Sequence, residues 1–165
     1  MIRPADADDH AALQAIERRA GERFRAIGMP EIADDEPFST EELAAAELVL
    51  VATDDAATPV GYALVELVDG HAHLEQLSVV PEQGGQGVGT LLIEAVVAWA
   101  RARGDHEITL TTFRDVAFNA PLYARRGFTV VDEPLWTDGV RAVVAKEVAH
   151  GLDVTSRVVM RRRVQ

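Results

Sequence analysis

Apolar residues recur along this chain with two periods, and the change from one to the other marks its elements. Ala12, Leu13, Ile16, Ala20 and Phe24 return at the spacing of one helix face, with Asp8 or Asp9 placed to cap the helix and Gly28 and Pro30 to end it. Before it, residues 1–4 read as a short strand stopped by Pro4; after it, residues 30–37 are acidic and irregular. Ser39 and Glu42 form a capping box that opens a short helix over residues 40–46. The pattern then turns strand-like. Leu48–Thr53 is β-branched and apolar, DDAATP is a turn, and residues 60–68 alternate in part. Asp69-Gly70 is a tight hairpin turn, and residues 71–80 form a third strand. Three strands joined by short turns predict an antiparallel meander.

Helical spacing returns at Val88, Leu92, Ala95, Val96, Trp99 and Ala102, with Arg101 and Arg103 in the last turn and Gly104 closing it. Residues 107–112 (EITLTT) are a strand, and the intervening helix makes it parallel to the strand before. A short helix over 120–126 ends at Gly127 and leads into a strand over 128–131; a helix over 140–150 and a strand over 157–164 complete the chain. These elements predict an α/β (α+β) fold: a mixed, mostly antiparallel central sheet of about seven strands flanked by helices. With no internal repeat and no long linker, residues 1–165 read as a single domain.

Composition narrows the class. A 48% hydrophobic share over 165 residues suits one compact core, while a net charge of −11 and 5% aromatics argue against nucleic-acid binding. The acidic surface either steers cationic substrates or serves solubility. With no cysteine there is no disulfide, thiolate metal site or cysteine nucleophile. The N-terminus turns acidic at once, unlike a signal peptide. The longest apolar runs are broken by Glu47, Glu66 or Glu94, short of the ~20 residues that span a bilayer. No membrane association and a cytoplasmic location are expected.

Chemistry concentrates where the third strand passes into the long helix. Gly84, Gly85, Gly87 and Gly89 strip side chains from the connection, so backbone amides at a helix N-terminus can close on an anion, by default a phosphate. Gly84 to Gly89 has the spacing of a G-x-x-x-x-G-K-S/T phosphate loop, but Thr90 replaces the lysine. A G-x-G-x-x-G dinucleotide loop would put its third glycine on Thr90, and it belongs in a parallel βαβ unit rather than after a meander. A third form fits best: a basic or amide residue followed by x-x-G-x-G, preceded by L-x-V-x-P and followed by an apolar helix. A plain hairpin–helix connection stays open on the loop alone. Downstream stands N-x-x-x-Y-x-x-x-G-F, in Asn119, Tyr123, Gly127 and Phe128. With both motifs in order, the chain resembles the GCN5-related N-acetyltransferases (GNAT), most specifically over residues 74–128.

The resemblance implies the acyl-CoA N-acyltransferase fold and acetyl-CoA as co-substrate, without a metal. It implies that the pantetheine arm bonds the backbone of Leu77 and Val79, where their strand splays from the strand at residues 108–112. The amides of Gly85, Gln86, Gly87, Val88, Gly89 and Thr90 would surround the pyrophosphate, and Asn119 would bond the cofactor arm. Gly84, also in the cofactor loop, stands where the family usually has arginine or glutamine, so binding should rest on amides, with Arg114, Arg125 or Arg126 assisting.

Acetyl transfer to an amine needs a base for the amine and an acid for the departing thiolate. Tyr123 matches the family's acid; otherwise it is a packing tyrosine with an exposed hydroxyl. Glu75 is the first candidate base, on one strand face with His73, Leu77 and Val79. His73 and water are the alternatives, and a solvated edge carboxylate is the bland reading. His71, His73 and Glu75 also form H-x-H-x-E, a possible metal face, but no fourth ligand is evident. The acceptor site is expected from residues 22–42 and the loop before the last strand. There Glu31, Asp34, Asp35 and Glu36 suit a cationic amine, and Arg23 and Arg25 a carboxylate. The acceptor is a small-molecule amine or a peptide, attacked directly in a ternary complex because no cysteine can carry the acetyl group. A non-catalytic acyl-CoA-binding or regulatory module is the alternative. The tail, residues 157–165, either pairs in a homodimer or closes its own sheet.

Overall fold

Seven strands hydrogen-bond in the order β1-β2-β3-β4-β5-β7-β6 in a computed structural model that describes residues 1–164. They are β1 (Ile2–Pro4), β2 (Leu48–Thr53), β3 (Pro59–Val68), β4 (His71–Val79), β5 (Glu107–Phe113), β6 (Thr129–Val130) and β7 (Arg157–Arg163). The helices are α1 (His10–Arg25), α2 (Pro30–Ala33), α3 (Thr40–Ala45), α4 (Val88–Arg103), α5 (Ala120–Ala124) and α6 (Asp138–Ala149). Contact density divides the chain into two compact units. The first is Met1–Val65 with Gln76–Val96, and the second is Glu66–Glu75 with the chain from Val97 onward.

In the first unit β1, β2 and β3 pair antiparallel, with Ile2 against Ala52 and Leu50 against Ala63. Leu13 and Ile16 of α1, Val51 and Leu64 of the sheet and Leu92 of α4 are buried. The start of α4 packs closely on β3: a Cβ on Gly61 would meet Ser78 O at 3.0 Å and Val88 Cγ1 at 3.2 Å. That approach fixes where the helix N-terminus lies within this unit. The Ser39–Glu42 capping box opens α3 as expected. Asp9, however, does not cap α1 with its side chain. Its buried carboxylate instead forms a two-pronged pair with Arg3 at 2.8 and 2.9 Å, and a charge-assisted pair outweighs a cap.

In the second unit Asp69 and Gly70 both have positive φ, as a two-residue hairpin turn requires. β4 is parallel to β5, registered at a single pair, His73 with Thr109. β7 pairs antiparallel with β5 along its whole length and with β6 on its other edge. The tail thus pairs within its own sheet, with β6 covering two residues of its outer edge; Gln165, included in the tail at the outset, lies outside the described residues. The strand expected over 128–131 is only Thr129–Val130. The helix expected over 140–150 starts earlier because Thr137 Oγ1 accepts from Val140 N at 3.2 Å. Val140 and Val144 of that helix pack with Val159 of β7, Val131 and Trp136. Among the described residues no helix is long and apolar enough to cross a membrane.

Candidate active site

Within the first unit, β4 ends at Val79 and a 3-10 turn over Pro81–Gln83 carries the chain to the glycines. Gly85 (φ 76°) and Gly87 (φ 85°) hold the left-handed conformation that lets successive amides turn to one side, and a Cβ on either would meet nothing within 4 Å. Leu91 N donates to Gly87 O at 3.0 Å. The amides of Val88 and Gly89 open α4, with no acceptor further back in the helix. Gln86 braces the turn by donating Nε2 to Glu82 O at 3.1 Å. Leu77 and Val79 are half-buried, and a Cβ on Gly89 would stand 3.9 Å from a methyl group of each.

Position 84 holds what the sequence reading missed. Residues 81–90 contain no lysine or arginine, and Glu82 adds a negative charge. α1 brings cations to them: Arg19 pairs with Glu82, and a Cβ on Gly84 would lie 3.0 Å from the Arg23 guanidinium. Arg23, rather than a residue of the loop, is the cation against Gly84. Arg19 and Arg23 are four apart on one helix face, which was a legible signal. Arg114 instead pairs with Asp115 at 3.3 Å in the second unit, where Arg125 and Arg126 also belong.

In the second unit, α5 presents Tyr123 half-buried. Gly127 (φ 88°) ends the helix, and Phe128 N donates to Tyr123 O at 3.1 Å. The chain reversal brings Phe128 edge-on to the Tyr123 ring at 5.7 Å, the physical reason for the Y-x-x-x-G-F spacing. The Tyr123 hydroxyl has no hydrogen-bond partner among the described residues. Burial pushes its pKa up and the Arg157 cation partly opposes this, so it stays protonated at neutral pH. Asn119 Oδ1 accepts from Thr112 Oγ1 at 2.8 Å and Phe113 N at 3.4 Å.

Glu75 keeps 38% side-chain exposure, with Oε2 at 3.5 Å from His73 Nε2. Its pKa is raised, first by desolvation and then by Glu147 and Glu66, against Lys146 and Arg157. His73 is 1% exposed, and burial pushes its pKa down to about 4. It is neutral at pH 7, with Nδ1 at 2.8 Å from Thr109 Oγ1. His71 turns elsewhere, its Nδ1 at 3.9 Å from Asp105. Among the described residues no group of three side chains is arranged to hold a metal ion.

Sequence reasoning also missed a half-buried trio that sequence separation hides. Thr111 Oγ1 donates to both Glu147 oxygens at 2.6 and 2.7 Å, and Arg157 donates to Glu147 Oε1 at 3.1 Å and to Thr111 Oγ1 at 3.0 Å. Arg157 also lies over the Phe113 ring at 4.6 Å. Its charge acts on both the candidate acid and the candidate base. In the first unit, Tyr62 donates to Glu17, which also accepts from Phe38 N at 3.2 Å and so anchors the acidic stretch to α1. Asp34 pairs with Arg25, and Glu36 with Arg18 at 4.0 Å, so that stretch is partly neutralised by α1.

The sequence model of the acetyltransferase (GNAT) family matches residues 11–128. The chain belongs to that family. The uncharacterized N-acetyltransferase YobR of Bacillus subtilis (strain 168) is 29% identical over 69 residues, or 42% of this chain and 28% of the relative. The chain thus matches little more than a quarter of that relative's length. Among solved structures, the PaiA N-acetyltransferase of Thermoplasma acidophilum in complex with coenzyme A is similar at a TM-score of 0.76 and 22% identity, over 99% of this chain and 98% of that one. The N-acetylglutamate synthase of Neisseria gonorrhoeae, complexed with coenzyme A and N-acetyl-glutamate, is similar at 0.75 and 18% identity, over 100% of this chain and 35% of that one. At these identities the likeness shows the fold, and the seven-stranded mixed sheet is the GNAT fold.

Proposed function

We propose that residues 1–165 form one cytoplasmic acetyltransferase domain that moves the acetyl group of acetyl-CoA to a primary amine by direct attack. The observation that carries this is the family match over residues 11–128, which spans both the glycine loop and the Asn119–Tyr123 motif. The amides of Gly85, Gly87, Val88 and Gly89 receive the pyrophosphate, while the Gln86 amide donates to Gln83 O at 3.3 Å within the turn, and the Arg23 guanidinium supplies the cation that position 84 lacks. Leu77 and Val79 offer backbone groups, and Asn119 its Nδ2, to the pantetheine arm.

The residues divide the proton work. Glu75 takes a proton from the ammonium, directly or through a water. The freed amine attacks the thioester carbonyl, a C–N bond forms as the C–S bond breaks, and Tyr123 gives its proton to the leaving thiolate; the second proton shed by the amine nitrogen passes through solvent to restore the tyrosine hydroxyl. The two pKa displacements support these roles: a tyrosine held protonated can donate, and a carboxyl raised from its ordinary value accepts more readily.

Titration calorimetry with acetyl-CoA, followed by a thiol-release assay over an amine panel, tests the proposal; binding with turnover on at least one amine is expected. Gly84 favours one alternative, a non-catalytic acyl-CoA-binding module, which predicts binding without turnover on any amine. Light scattering reads whether the chain forms a homodimer.

A further inference from the structure

In the first unit, two consecutive residues of β3 seat the two helices that reach the glycine loop. At Gly61 the start of α4 comes close: a Cβ there would meet Ser78 O at 3.0 Å, Val88 Cγ1 at 3.2 Å and Leu92 Cδ1 at 3.3 Å. Tyr62 follows and, by strand alternation, points to the other face of the sheet. There it is fully buried, and its hydroxyl donates to Glu17 of α1. Glu17 is half-buried, and the same oxygen, Oε1, accepts from Phe38 N at 3.2 Å.

Leu13 and Ile16 bury the apolar side of α1, but apolar burial is non-directional and by itself leaves a helix free to turn about its axis. The Tyr62–Glu17 bond is directional, and breaking it strands a buried polar group. Further along the same helix stand Arg19, paired with Glu82 of the loop, and Arg23, whose guanidinium lies 3.0 Å from where a Cβ on Gly84 would stand. The Arg19 pair is exposed, and exposed pairs contribute little. The aim of Arg23 therefore depends on the buried bond.

We propose that Glu17 and Tyr62 are positioning residues for the cofactor site: their bond fixes the rotation of α1 and so aims Arg23 at the pyrophosphate. β3 thereby sets the amides of α4 from one face and the cation of α1 from the other. This rests on the acetyltransferase reading, in which Arg23 supplies the charge missing at position 84.

Calorimetry with coenzyme A and with pantetheine, which lacks the pyrophosphate, tests the pair. Tyr62→Phe keeps the buried ring and should weaken coenzyme A binding about threefold or more, with pantetheine affinity unchanged. Retained pantetheine binding verifies that each variant is folded. Glu17→Leu should match Tyr62→Phe, whereas Glu17→Gln, which keeps an accepting Oε1, should bind coenzyme A as the wild type does. In an Arg23→Ala background neither Tyr62→Phe nor Glu17→Leu should weaken coenzyme A further, because the group they aim is gone. Unchanged coenzyme A affinity in Tyr62→Phe, equal loss for both ligands, or a loss that persists in Arg23→Ala overturns the inference and leaves the transferase reading standing. A wild-type protein that does not bind coenzyme A overturns both.

Discussion

At residues 84–90 the first unit presents backbone, whereas at Tyr123 and Glu75 the second presents side chains whose ionisation is shifted by burial. The loop is exposed and glycine-rich, and its specificity lies in φ angles that Gly85 and Gly87 alone make inexpensive there. The other region is held by the Thr111–Glu147–Arg157 trio and the Tyr123–Phe128 ring pair. Amides aimed at a phosphate do not titrate, so the first region should govern affinity with little pH dependence. Side chains that move protons should govern rate and its pH dependence. A substitution in either region therefore tests whether the roles are divided.

The largest effect is expected at Tyr123. Tyr123→Phe should lower kcat about 10²–10³-fold, within the span of general acid catalysis, with coenzyme A affinity within twofold. Steady-state kinetics with calorimetry measures both; a change confined to affinity would erase the contrast. Glu75→Gln should lower kcat/KM about tenfold to a hundredfold. As the proposed base Glu75 would act ionised, and its pKa is raised, so wild-type activity should fall on acidification at a higher pH than an ordinary carboxylate gives. The Gln variant should lose that limb of the pH–rate profile.

His73 separates stability from rate in the same region. Burial lowers its pKa to about 4 from an ordinary 6.5, so between those values the unfolded chain binds a proton that the folded chain does not. Stability should be fully present above 6.5 and drop by about 3 kcal/mol as pH falls toward 4. Ionised Glu75, at 3.5 Å, offsets part of this. Urea unfolding at pH 7 and pH 4.5 should show a smaller pH dependence in His73→Gln than in wild type. The smallest effect belongs to the loop: Arg23→Ala should weaken coenzyme A binding about tenfold, as for one charge-assisted contact, and leave affinity for pantetheine unchanged. Adding Gly84→Gln in that background should recover part of the loss. Equal loss for coenzyme A and pantetheine would show that Arg23 acts on the fold rather than on the pyrophosphate.

The regions also differed in legibility. Repeating periods gave the meander, α1 and α4, and two short motifs located the glycine loop and Tyr123, because those signals are local. α2 was hidden in a proline-bearing acidic stretch, since a four-residue helix offers barely one turn of periodicity. β6, two residues long, exists through its pairing with β7, which no local pattern announces. The Thr111–Glu147–Arg157 trio joins three separate elements, and Asp9 left its cap for Arg3; both are tertiary choices. Arg23 was named as a carboxylate binder, and only the fold sets it against Gly84.

The division of labour is tested most directly by single-turnover acetyl transfer as a function of acetyl-CoA concentration, in wild type, Tyr123→Phe and Arg23→Ala. The account predicts that Arg23→Ala reaches the wild-type rate once saturated, whereas Tyr123→Phe stays slow at every concentration. A Tyr123→Phe enzyme that recovers at saturation, or an Arg23→Ala enzyme that does not, would contradict it.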